Sequence, residues 1–80
     1  IKRANDTHYG LAAGVITKDL ARALQFVEQL EVGFVWVNQY SAIQFQAPIG
    51  GFKQSGYGRE LGRYSLEEYC EVKTVSIKID

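Results

Sequence analysis

Leu11-Ala12-Ala13-Gly14-Val15-Ile16 and, one amphipathic stretch later, Phe34-Val35-Trp36-Val37-Asn38 are the runs whose reading decides the fold. Both are short and apolar, as strands buried on two faces are. Between them Leu20, Ala23, Leu24, Val27 and Leu30 fall at i, i+3, i+4, i+7 and i+10, which is one helical stripe. Arg22, Gln25, Glu28 and Gln29 take mostly the other side. The pattern predicts a helix over Lys18–Glu31. Thr17 is its expected N-cap, Asp19 lies in the first turn where a negative charge suits the helix dipole, and Gly33 is the expected C-cap. Strand, helix, strand makes a βαβ unit, so the two strands are expected to run parallel with the helix on one face. The fold class is α/β.

Working outward, residues 1–5 have the character of a last helical turn ending at Asn5-Asp6. His8, in Asp6-Thr7-His8-Tyr9-Gly10, is a turn residue in preference to a catalyst. No second histidine and no Cys–His spacing supports a metal site. Residues 39–58 show no period and contain the only proline, Pro48; a loop of this length is usually functional. Its aromatics Tyr40, Phe45 and Phe52 either line a pocket for an apolar substrate or form satellite core, and the sequence favours neither.

The loop runs into Gly50-Gly51-Phe52-Lys53-Gln54-Ser55-Gly56-Tyr57-Gly58-Arg59-Glu60-Leu61-Gly62, which holds five of the eight glycines. Such a cluster implies positive φ or close backbone approach. A phosphate cradle is the sharper reading and tight turns the plainer one. The P-loop pattern is missing, because Lys53 does not follow a glycine, and a dinucleotide fingerprint would sit directly between a strand and a helix. Turns are therefore preferred.

From Arg59 to about Cys70 a second helix is expected, interrupted by Gly62. Glu60 would lie near its N-terminus, as a first-turn carboxylate or, if buried beside the loop, a proton-transfer group. Arg59 and Glu71 would bracket this helix and could pair with each other or with another subunit. Cys70 at the helix end reads as a buried structural thiol, since a C-terminal dipole does not activate a nucleophile. Val72–Ile79 then alternates, with Val75, Ile77 and Ile79 facing one way. This terminal strand has no obvious partner in the chain, and an unpaired strand is a template for joining another sheet.

Composition removes several classes. The chain of 80 residues has zero formal net charge, which is no footprint for nucleic acid and no polybasic surface for a membrane. No apolar run approaches the roughly 18 residues of a membrane span. One cysteine excludes an intrachain disulfide and fits a reducing compartment. A core of this size is marginal without a staple, so a piece of something longer is the expectation.

Several blocks together resemble the C-terminal end of the aldehyde dehydrogenase superfamily. They are Asn5-Asp6-Thr7-His8-Tyr9-Gly10-Leu11-Ala12-Ala13-Gly14-Val15, Thr17-Lys18-Asp19, Gly33-Phe34-Val35-Trp36-Val37-Asn38, Pro48-Ile49-Gly50-Gly51-Phe52-Lys53-Gln54-Ser55-Gly56, Gly58-Arg59-Glu60-Leu61-Gly62 and Glu71-Val72-Lys73-Thr74. They cover essentially the whole chain in order. The resemblance is greater to the branch that oxidises retinal, acetaldehyde and betaine aldehyde than to the semialdehyde or proline-pathway branches.

The resemblance implies a fragment of the aldehyde dehydrogenase fold: residues 1–71 as the last part of the catalytic domain and 72–80 as an oligomerisation strand. It implies that Tyr40, Ser41, Ile43, Phe45 and Ile49 line the aldehyde tunnel and that Glu60 matches a glutamate proposed to relay protons. Residues 72–79 would join a neighbouring subunit's sheet in a dimer or tetramer. The parent would use NAD or NADP to oxidise an aldehyde to a carboxylic acid, in the cytoplasm or the mitochondrial matrix. Its chemistry would be thiolate attack, hydride transfer and thioester hydrolysis. Ile43 and Ile49 stand where many relatives carry aromatics, and Ser41 where an acid or a small residue is common, so the tunnel is expected to differ in shape. The family's nucleophilic cysteine, general base, oxyanion asparagine and cofactor-binding elements match nothing here, and Cys70 is not the nucleophile. The 80-mer alone is therefore expected to be inactive. A non-catalytic crystallin-like relative and a stand-alone oligomerisation module are the alternatives.

Overall fold

Helix α2, Leu20–Gln29, forms where the apolar stripe predicts a helix, and its ends show which residues cap it. Asp19 is extended at φ −96°, ψ 106°, and its Oδ1 accepts the Arg22 N–H at 3.1 Å, so Asp19 is the N-cap. Thr17, the expected cap, sits one step back: its Oγ1 accepts the Asp19 N–H at 3.1 Å and orients the capping residue. At the other end Leu30 turns extended, and Gly33 plays no capping part. Gly33 instead donates its N–H toward the Gly10 and Leu11 carbonyls, at 3.1 and 3.2 Å.

The computed structural model describes residues 1–80. In chain order the other elements are α1 (Lys2–Asn5), β1 (Tyr9–Gly10), β2 (Ala12–Val15), β3 (Phe34–Val37), β4 (Phe52–Lys53) and α3 (Ser65–Tyr69). Strands β2 and β3 are parallel, with Ala12 opposite Phe34 and Val15 opposite Val37, and α2 makes the crossover. The βαβ unit is therefore as expected. A second, antiparallel pair joins β1 to β4 through Tyr9–Lys53 and Gly10–Phe52. Nothing in the sequence announced this pair, because two-residue strands carry no period.

The period of two along β3 divides its side chains between two partners. Val35 and Val37 pack with Ala13, Phe26 and Val32 against the core formed by Val15, Ala23 and Leu30, beneath α2. Trp36, only 6% exposed, is buried on the other side, where its indole meets the loop that follows β3. The β2–β3 pair is thus covered by a helix on one face and by a loop on the other.

Three tethers bring the N-terminal segment onto this unit. The Asn5 side chain donates to the Gln29 carbonyl at 2.8 Å and accepts the Glu31 N–H at 2.9 Å. Lys53 Nζ donates to the Asn5 and Thr7 carbonyls, at 2.9 and 3.4 Å, and forms an ion pair with Glu31 at 2.5 Å. The Gly10 N–H donates to Ser55 Oγ at 3.0 Å.

Downstream of Gly58 the expected helix over Arg59–Cys70 is shorter. Leu61 and Gly62 both adopt left-handed backbone, at φ 60° and 58°, which no α-helix can continue through. Only Ser65–Tyr69 is helical, started by a turn in which Ser65 Oγ donates to the Gly62 carbonyl at 2.9 Å. Glu60 is consequently not a first-turn residue: it forms an isolated antiparallel bridge with Ile49. Arg59 turns inward, leaving Glu71 exposed and without the expected pairing. Cys70 is exposed, not buried, because five-residue α3 buries none of its own residues and so shelters nothing at its end.

The expected terminal strand forms no ladder within this chain. Residues 70–80 carry neither helix nor strand, and Val72, Val75, Ile77 and Ile79 are 69–101% exposed. A strand needs a neighbour for its backbone groups, and the chain offers none there. No helix is long and apolar enough to cross a membrane.

Candidate functional site

The residues expected to form the site lie on the loop between β3 and β4, and the sequence explains its path. Asn38 leaves β3 in a left-handed conformation, φ 57°, which asparagine tolerates better than most residues. Its N–H donates to the Val15 carbonyl at 2.8 Å and its Oδ1 accepts the Thr17 N–H at 2.9 Å, tying the ends of β2 and β3 together. Ser41, at φ 60°, reverses the chain again. That reversal carries the Ala42 carbonyl over Trp36, whose Nε1–H donates to it at 2.7 Å. The Tyr40 ring lies 4.7 Å from the indole, centroid to centroid, and over Gly14, where a Cβ would stand 2.7 Å from the ring.

The second half of the loop is held by the segment around Gly62. The Ala47 N–H closes a turn on Gln44 at 3.0 Å, and the Gly62 N–H donates to the Phe45 carbonyl at 2.8 Å. Ile49 and Glu60 then exchange two backbone hydrogen bonds, each 2.8 Å. Arg59 Nη1 donates to the Gly58 and Gly51 carbonyls, at 2.6 and 3.2 Å, and the guanidinium lies 5.6 Å from the centre of the Phe52 ring, within cation–π range. The glycine cluster thus lets Arg59 thread among backbone carbonyls.

The loop keeps the expected residues close in sequence but does not gather them around one cavity. Tyr40, Ile43 and Phe45 are 64%, 55% and 75% exposed, and Ser41 is exposed beside them. Ile49 is half-buried and lies apart, lining a cavity of about 290 Å³ with Leu11, Arg59 and Glu60. A second cavity of about 290 Å³ lies between β3 and the loop, lined by Phe34, Trp36, Gln39, Ala42, Gln44 and Ala47. Neither is lined by Tyr40, Ser41, Ile43 or Phe45. The structure therefore presents these four as an open wall. Two contributors escaped the sequence reading: Trp36, which looked only like a strand residue, and Arg59, whose hydrogen bonds require the folded glycine turns.

The chain's own residues do not suit a dinucleotide. The turn from β2 to α2, residues 16–19, has no glycine, and the Arg22 N–H in the first turn of α2 is already taken by the Asp19 carboxylate. The glycines are distributed along residues 50–62 and separated from α3 by a further turn. The cluster is accordingly a packing device and not a phosphate cradle.

Comparison with known proteins agrees with this architecture. The profile described as the aldehyde dehydrogenase family matches residues 1–75. The chain is 66% identical over 79 residues to aldehyde dehydrogenase 1A1 of Gallus gallus, covering 99% of this chain and 16% of that protein. It is 64% identical over 80 residues to retinaldehyde dehydrogenase 3 of Rattus norvegicus, covering 100% of this chain and 16% of that protein. An aldehyde dehydrogenase of Bacillus cereus, solved as its NAD+ complex, superposes with a TM-score of 0.89 at 49% identity, covering 99% of this chain and 16% of that one. The chain therefore spans about a sixth of the length of these relatives, at a likeness that extends through sequence and backbone alike. It belongs to the aldehyde dehydrogenase family.

Proposed function

We propose that this chain is the part of an NAD(P)-dependent aldehyde dehydrogenase that walls the aldehyde entrance and carries an oligomerisation strand. The reaction is oxidation of an aldehyde to a carboxylic acid, with the nucleophile, the general base and the cofactor site supplied outside these 80 residues. The carrying observation is the open loop from Asn38 to Gly51, fastened to the sheet by the Trp36–Ala42 bond and by the Tyr40 ring, and leaving Tyr40, Ser41, Ile43 and Phe45 exposed. An enzyme that admits an apolar aldehyde needs such a surface: aliphatic and aromatic side chains held by a rigid support. Retinaldehyde, named for one relative, is the large apolar aldehyde to try first.

Residues 1–71 belong in this reading to the catalytic domain and 72–80 to the arm. Support for the arm is the alternation of Val75, Ile77 and Ile79 on a segment that has no partner in the chain. Glu60 lines a cavity with Ile49 and Arg59, where a carboxylate can pass protons. A cytoplasmic location accords with the lone free cysteine.

The test is aldehyde-dependent NADH or NADPH formation by the intact protein that carries this segment. Phe45→Ala should raise the KM for a long apolar aldehyde and leave the KM for the nucleotide unchanged. Activity indifferent to Phe45, Ile43 and Tyr40 would remove the wall, and no aldehyde-dependent reduction would remove the activity itself. Ile77→Lys should lower the oligomeric state in sedimentation; an unchanged oligomer would defeat the arm.

A further inference from the structure

We propose that Trp36 is a positioning residue for the aldehyde wall, acting through the Ala42 carbonyl. The inference deepens the functional reading above and rests on it. The Trp36 Nε1–H to Ala42 O bond, at 2.7 Å, is the one hydrogen bond that joins residues 39–44 to the sheet. The next fixed points are Asn38, at the end of β3, and Phe45, whose carbonyl accepts from Gly62. Between them Tyr40, Ser41, Ala42, Ile43 and Gln44 are all exposed, so burial does not hold them. Their placement depends on the indole.

The indole is itself immobilised. It is 6% exposed, rises from a strand hydrogen-bonded to β2, and packs against the tilted rings of Phe34 and Tyr40, whose centroids lie 4.6 and 4.7 Å away. Gly14 on the neighbouring strand leaves the slot that the Tyr40 ring enters. A buried indole N–H requires an acceptor, and the loop carbonyl is the acceptor that satisfies it. One bond thus closes two accounts: it satisfies the donor on β3 and sets the turn at Ser41 on which Ile43 depends. Phenylalanine would keep the ring packing and lose the donor.

The experiment uses the intact protein with Trp36→Phe, and Val37→Ala as a control that disturbs the opposite, helix-facing side of β3. Limited chymotryptic cleavage after Phe45 and the steady-state constants for retinaldehyde and nucleotide are read together. Trp36→Phe is expected to speed that cleavage, because the loop frays where its one bond to the sheet is lost, and to raise the aldehyde KM about fivefold, the size of one net hydrogen bond. The nucleotide KM and kcat should stay within about twofold, since one loop contact is removed and nothing else. Val37→Ala should leave the cleavage rate and aldehyde KM unchanged.

Unchanged cleavage after Phe45 in Trp36→Phe overturns the anchor. Faster cleavage with an unchanged aldehyde KM leaves the anchor standing but overturns its role toward substrate, and with it the reading of the loop as a wall. Equal effects of Val37→Ala would reduce Trp36 to a core residue and overturn the proposal. Ser41→Pro breaks the same turn from the solvent side, because proline cannot adopt φ 60°, and it tests the anchor should Trp36→Phe fail to fold. It must reproduce the faster cleavage; an unchanged cleavage rate after Phe45 in that variant also overturns the proposal.

Discussion

Gly33 lies against the Gly50 carbonyl with no room for a side chain between them. A Cβ at Gly33 would meet that oxygen and stand 3.3 Å from the Gly51 Cα. The start of β3 and the start of the glycine cluster are therefore packed backbone to backbone, with sixteen positions of chain between them. Neither partner can swing aside as a flexible side chain would. Gly33→Ala in the intact protein should cost about 3 kcal/mol, at the upper end for overpacking, seen as a lower urea midpoint. An unchanged midpoint would mean that β3 and the cluster separate freely, which their geometry denies.

The capping of α2 falls to Asp19 and not to Thr17, two residues before it. Asp19 accepts from the helix itself and Thr17 only from Asp19. Asp19→Ala should cost about 1 kcal/mol, as loss of an N-cap does, and Thr17→Ala distinctly less. Thermal melts of the two variants give the comparison. The reverse order would restore Thr17 as the cap.

Lys53 joins three parts of the chain through one ammonium group: the end of α1, Thr7 and Glu31. Its side chain is 27% exposed and that of Glu31 55%, so the ion pair feels solvent while the carbonyl bonds are more sheltered. Lys53→Gln should cost about 1 kcal/mol, after allowance for screening. Glu31→Gln should cost less, because Lys53 keeps its carbonyls. In high salt the Glu31 effect should shrink toward zero while most of the Lys53 effect remains. Urea titrations at two ionic strengths check this; salt-independence of the Glu31 effect would show that its charge is not what matters.

These contacts mark how far the sequence could be read. The βαβ unit was legible because Leu20, Ala23, Leu24, Val27 and Leu30 recur at a helical period between two apolar runs. The β1–β4 pair was not, because Tyr9–Gly10 and Phe52–Lys53 are too short to show alternation and meet across most of the chain. The end of the glycine cluster misled in a physical way. Leu61 at φ 60° is rare for a leucine, and no local signal distinguishes it from the opening of a helix. Together with Gly62 at φ 58°, that conformation moves the helix start to Ser65 and takes Glu60 out of it. Tyr40, Phe45 and Glu60 stood out in the sequence itself, whereas Ser41, Ile43 and Ile49 were expected at the site only through the resemblance to a family. Their support, Trp36, was visible only once Ala42 had a position.

Glu60 offers the sharpest test of the site, because its backbone and its side chain have separate duties. The backbone is fixed by two 2.8 Å bonds to Ile49, which any residue at that position keeps. The carboxylate is exposed and makes no hydrogen bond within the chain, so it contributes little to stability. Glu60→Gln should therefore change the melting behaviour by no more than about 0.5 kcal/mol. If the carboxylate relays protons in the parent reaction, kcat should fall about a hundredfold, the lower end for loss of a proton-transfer group, with the aldehyde KM almost unchanged. Glu60→Asp should recover part of the rate, since it restores the charge on a shorter arm. A kcat for Glu60→Gln equal to that of the unsubstituted protein would take Glu60 out of the catalytic machinery and leave it as a residue of the Ile49 bridge alone.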